Sequence, residues 1–162
     1  MSKKEDQKLW LKLHRNSLEN LKQTSTKLEQ IDVVIQEIDD NYENITKPIF
    51  DVIFAEVFKL LSETEDRSYM DSITNMALLR VADNSALSNS TFDVKRNKVL
   101  EMDKSGEYIP ICTRRVFLKY YTDSKNTHLQ FWGEDDRKVY LESMIGDGGI
   151  LFPFLKTTSN ND

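Results

Sequence analysis

The chain is short of the residues that most chemistries require. It has one cysteine, two histidines, five glycines and three prolines in 162 residues. With Cys112 alone there is no internal disulfide, so nothing points to an oxidising compartment. Its thiol has no histidine in a nearby motif, and a buried structural role is the reading that follows. His14 and His128 are too few and too far apart for a His-x-x-x-His metal spacing. His14 falls on an apolar helical stripe, which suits a core histidine, and His128 falls in a polar stretch that suits a loop. P-loop, dinucleotide and Cys-x-x-Cys fingerprints are absent as well. No run approaches the roughly 18 apolar residues of a membrane span. The opening Met1-Ser2-Lys3-Lys4-Glu5-Asp6-Gln7 is of mixed charge with no apolar run behind it, unlike a targeting peptide, so the expectation is a cytoplasmic protein away from membranes.

What is present is charge, and it is segregated. The net charge of −5 divides into +3 over residues 1–30, −8 over 31–71, +3 over 72–133 and −3 over 134–162. Attraction to phosphate depends on the local patch, so contact with DNA through 72–133 stays open, beside the plainer reading of a solvated surface.

Apolar residues at three- and four-residue steps predict helices. Trp10, Leu13, His14, Leu18 and Leu21 mark one, and Leu28, Ile31, Ile35 and Ile38 a second, with Thr24 or Ser25 as its cap. The short link predicts an antiparallel hairpin. Thr46 and Pro48 open a third helix carrying Ile49, Val52, Ile53, Val57, Phe58, Leu60 and Leu61, which ends in the polar stretch 62–67. The pattern then changes: Ser72 to Arg80 reads as a loop running into a strand, and 83–91 is rich in turn and cap residues. A helix follows from Ser90 or so, with Phe92, Val99 and Met102 inward and Gly106 as terminator. Ile109-Pro110-Ile111 reads as extended, Thr113 as the cap of a helix carrying Arg114 to Tyr121, and Glu134-Asp135-Asp136 as the start of a last helix. Gly146 to Gly149 is a link to the apolar patch 150–155. The predicted divisions are 1–71 (helical), 72–145 and a tail, 146–162.

The run Ile73-Thr74-Asn75-Met76-Ala77-Leu78-Leu79, then Asn84-Ser85-Ala86-Leu87-Ser88-Asn89, Phe92, Lys95 and Arg96, resembles the second half of the HNH nuclease motif in the C-terminal domain of GmrSD-type, DUF262-associated restriction proteins. Members carry an Asn-Leu-x-Leu-Leu segment, an asparagine opening the next helix and a Lys-Arg pair. The likeness continues through Gly106, the stretch Ile109 to Tyr121 and Phe131-Trp132. Upstream, Trp10-Leu11-x-Leu13-His14 and the helices after it resemble the insertion that these proteins place inside the motif, so most of residues 8–145 is covered.

The resemblance implies a mainly α fold, a helical bundle around an incomplete HNH ββα-like element. It implies phosphodiester hydrolysis in restriction of phage or other foreign DNA, with Asn75 orienting the site, Asn84 as a ligand to Mg²⁺ or another divalent cation once the site is completed, and Lys95, Arg96, Arg114, Arg115 and Lys119 toward DNA. Taken alone, Asn75 suits the closing of a turn, Asn84 a helix cap, and the cations a solvated surface. The chain departs from the pattern at one place: the Asp/Glu-His-Ile-x-Pro element with the general-base histidine is not found. General-base catalysis supplies about a hundred- to ten-thousand-fold in rate. The expectation is therefore a catalytically incomplete C-terminal part, either a fragment or half of a split nuclease whose partner chain supplies the N-terminal part. The rival is a non-catalytic DNA-binding or protein-interaction module. A second strand without its partner also predicts disorder or association around 72–84.

Overall fold

A computed structural model describes residues 3–62, 69, 71–81, 83–84, 89–122 and 129–155. Among them the helices run α1 (Lys3–Leu21), α2 (Leu28–Asn41), α3 (Lys47–Leu60), α4 (Phe92–Lys104), α5 (Ile111–Phe117), α6 (Glu134–Ile145) and the single turn α7 (Phe152–Leu155), with a 3₁₀ turn at Ile73–Asn75. The fold is mainly α, as expected.

The first three helices bury the first core. Trp10, Leu11, Leu18 and Leu21 of α1 meet Ile31, Val34, Ile35 and Ile38 of α2 and Ile53, Val57 and Leu60 of α3. The expected stripe holds with three shifts: Leu11 is fully buried while Leu13 is on the surface, and Leu28 and Val52 are exposed. Three ion pairs step in opposite directions along α1 and α2, Lys8 with Glu43 (2.6 Å), Arg15 with Asp39 (2.7 Å) and Lys22 with Asp32 (2.6 Å), as an antiparallel hairpin requires. Exposed pairs of this kind contribute little each, so they set register more than stability. Neither Thr24 nor Ser25 caps α2. Lys27 stands at the N-cap without a side-chain cap bond, the Thr24 hydroxyl donates back to Leu21 O at the end of α1, and Ser25 Oγ accepts the Lys27 N–H at 3.0 Å.

A second core lies beyond, where Val99 and Met102 of α4 pack with Ile109 and with Phe117 of α5, and Ala77, Leu79 and Phe92 close over them. Residues 76–80 depart from the expected strand. They run on from the 3₁₀ turn without a ladder partner among the described residues. Alternation survives: Ala77 and Leu79 face this core while Met76 and Leu78 are exposed. Without a neighbouring strand, this segment is held by side chains instead. The Thr113 hydroxyl donates to Leu78 O at 2.6 Å, and Trp132 Nε1 donates to Thr74 O at 2.9 Å. That use of Thr113 also explains a second difference, because α5 starts two residues before it, with Pro110 as N-cap and Ile111 already helical. Proline restricts only the residue before it, Ile109.

The two halves meet at His14, which is fully buried. Its Nδ1 donates to Trp10 O at 2.8 Å and its Nε2 accepts the Thr91 N–H at 3.2 Å, which fixes a neutral ring with one tautomer. Burial pulls its pKa down to about 4, against the lesser opposing effect of the bond to Trp10. The folded pKa lies below the unfolded value of about 6.5, so this contribution to stability is whole above pH 6.5 and is lost as pH falls toward 4. The expected loss over that window is about 3 kcal/mol. Urea unfolding across pH 4–7 of wild type and His14→Gln checks it, because the difference between them isolates the imidazole from Asp93. Burial raises the Asp93 carboxyl, and its effect has the opposite sign. Parallel pH profiles for the two proteins would contradict the assignment.

Candidate functional site

Between the two cores lies a cleft of about 1390 Å³. Its floor is aromatic, with Phe54 and Phe58 of α3 on one side and Phe92, Phe117 and Trp132 on the other. Its polar lining is one-sided in charge. Lys27, Lys59 and Lys95 line it together with Asn75, Asn84 and Asn89, and among the described lining residues there is no aspartate or glutamate. In a chain of net charge −5 that sorting is the most informative electrostatic feature of the surface.

The asparagines reach the cleft by different routes. Asn75 ends the 3₁₀ turn, whose N-cap Ser72 accepts from Thr74 N–H and whose Thr74 carbonyl is anchored by Trp132. Asn84 is exposed, beside an Asp83 that is held by Arg80 at 2.7 Å. Asn89 sits at φ 58, in the left-handed region that asparagine tolerates better than most residues. Two residues further on, Thr91 is the N-cap of α4, and one turn into that helix stands Lys95. Lys95 is half-buried, and desolvation lowers the pKa of its ammonium group.

The other expected DNA-facing cations do not share this cleft. Arg96 is half-buried, and its Nε is buried without a hydrogen-bond partner among the described residues. Arg114 binds Asp103 at 2.8 Å. Arg115 lies over the Tyr120 ring at 5.1 Å. Lys119 is buried, and the expectation that it faces DNA gives way to an internal role: its ammonium is 2.6 Å from Asp136, which also accepts the Gly133 N–H at 2.8 Å and the Thr122 hydroxyl. Asp136 thereby caps α6, and Lys119 lies over the Phe92 and Trp132 rings. Lys119 has φ 57, a backbone turn that swings its side chain inward and that helical periodicity cannot foresee. Sequence reasoning also missed Lys27 and Lys59, which fall in segments read as scaffold. Their signal is only that each sits at a helix end, at the N-cap of α2 and in the last turn of α3.

Fold and cleft together define a mainly helical domain with a lysine- and asparagine-lined groove between two cores. The model of one family, described as GmrSD restriction endonucleases, C-terminal domain, matches residues 6–145, and the chain belongs to that family. No curated protein and no solved structure matches the chain. The match places it among restriction-endonuclease domains, of a nuclease type that commonly uses divalent metal. Among the described residues no three of His, Cys, Asp and Glu come together. Asp83 is engaged by Arg80, and Asn84 offers one neutral amide oxygen. The described residues therefore do not by themselves make a ligand set for a hard divalent cation. No helix among them is long and apolar enough to cross a membrane.

The buried pair yields a measurable expectation. Removing one partner of a buried ion pair leaves a lone charge and costs about 3–5 kcal/mol. Asp136→Asn or Lys119→Met should each destabilise the chain by that order in urea unfolding. A change below about 1 kcal/mol would instead mean a solvated, replaceable contact.

Proposed function

We propose that the chain is the C-terminal part of a GmrSD-type HNH DNA endonuclease, that the cleft holds the DNA backbone, and that the hydrolytic centre is completed by a partner segment carrying the general base. The observation that carries the reading is the lining of the cleft: three lysines, three asparagines and no carboxylate among its described residues, in an acidic chain. Such a groove attracts a polyanion, and its lysines contact phosphates without reading bases.

Incompleteness rests on the histidines. Both ring nitrogens of His14 are engaged inside the fold, so His14 has no free nitrogen with which to take a proton from water. His128 lies outside the described residues. The exposed Met76 and Leu78, on an extended segment without a ladder partner among the described residues, suit a strand supplied by the completing partner. In this arrangement Asn75 orients that strand and Lys95 binds phosphate. The assignment of Asn84 to a divalent cation depends on further donors from the partner.

The test uses the whole chain with duplex DNA. Binding should weaken steeply with salt, and Lys95→Ala, Lys27→Ala and Lys59→Ala should each lower affinity by a similar factor for every sequence, flattening the salt slope by about one. With Mg²⁺ or Mn²⁺ the chain alone should not cut plasmid DNA, and a supplied partner segment bearing the histidine should confer cutting. Cleavage by the chain alone that Asn84→Ala abolishes would contradict the missing base. Binding without cutting in the presence of the partner would favour a non-catalytic DNA-binding module.

A further inference from the structure

The wall of the cleft at Asn89–Thr91 is held from the first helix. Asn89 occupies the left-handed region at φ 58. Asparagine tolerates this region, and its hydrogen-bonded neighbours select it here. Both sides of this turn are fixed by α1. Trp10 Nε1 donates to Asn89 O at 3.0 Å, and the Thr91 N–H donates to His14 Nε2 at 3.2 Å. The two α1 residues also fix each other, through rings stacked at 3.7 Å and the His14 bond to Trp10 O. Trp10 is in turn packed against Phe50 and Phe54, so its position is set by the first core. Asn89, Ser90 and Thr91 are themselves lining residues of the cleft, and they lead directly into Lys95.

We propose that Trp10 and His14 are positioning residues of the cleft: from the first helix they hold Asn89–Thr91 in its left-handed turn and so place the start of α4, the wall that carries Lys95. The acidic three-helix region is then part of the site's construction as well as its neighbour. This inference rests on the reading of the cleft as the DNA-binding surface, and its test separates the two. Neither residue is among the residues that line the cleft.

Three variants decide it, each compared with wild type by amide hydrogen exchange and by binding of a fluorescently labelled DNA duplex at low salt. His14→Leu removes the acceptor for Thr91, Trp10→Phe keeps an aromatic ring but loses the donor to Asn89, and His14→Gln restores an acceptor and a donor. The Leu and Phe variants should speed exchange at Thr91 relative to the middle of α4, shift the amide resonances of Asn89 and Ser90, and weaken duplex binding about fivefold, the effect of one lost hydrogen bond. His14→Gln should recover most of each change. Equal behaviour of His14→Leu and His14→Gln would overturn the latch in favour of packing alone. So would wild-type exchange and shifts at Asn89, Ser90 and Thr91 in both Trp10→Phe and His14→Leu. If wild type itself fails to bind the duplex, the DNA reading falls while the exchange data, taken without DNA, still judge the latch.

Discussion

The junction at Trp10 and His14 is the interaction on which the arrangement depends. This junction serves both cores. Trp10 belongs to the first core by its ring and to the second half by its indole N–H. His14 fills buried space and also satisfies the N-cap amide of α4, a donor that burial would otherwise leave costly. A histidine can do this only when neutral, and burial is what keeps it neutral. Stability, the orientation of α4 and the shape of the cleft therefore draw on one side chain in one tautomer.

Charge segregation gains a structural meaning from the same arrangement. Part of the −8 of residues 31–71 lies along the hairpin, where Asp32, Asp39 and Glu43 pair with Lys22, Arg15 and Lys8. Lys27 and Lys59, exposed at helix ends, border the cleft, and Lys95 lines it from α4. Net charge thus says little about what the groove attracts. Its local lining says more, because field lines concentrate in a low-dielectric recess.

Much of the fold was legible in the sequence. Periodicity located α1 to α4 and most of the first core, because burial of one helical face imposes a 3.6-residue repeat, and the acidic triplet at 134–136 located the start of α6. The asparagines at 75 and 84 were legible as cleft residues only through family resemblance. The departures have a common cause. Lys119 looks like its neighbours Arg114 and Arg115 in a basic string, yet it turns inward at a left-handed residue and pairs with Asp136. The strand expected near 76–80 kept its alternation without acquiring a ladder among the described residues. The start of α5 moved because Thr113 bonds to Leu78 instead of capping. Each depends on a partner distant in sequence, which local pattern does not encode.

The central claim is that the lysine- and asparagine-lined cleft is the surface that meets DNA. The most direct measurement is a titration of the isotopically labelled chain with duplex DNA, read as amide chemical-shift changes at low salt. The account expects the changes to gather at Asn75, Asn84, Asn89 to Lys95, Lys27 and Lys59, and to fade as salt is raised. Changes gathered instead around Arg114 and Arg115, or none at any salt concentration, would contradict it.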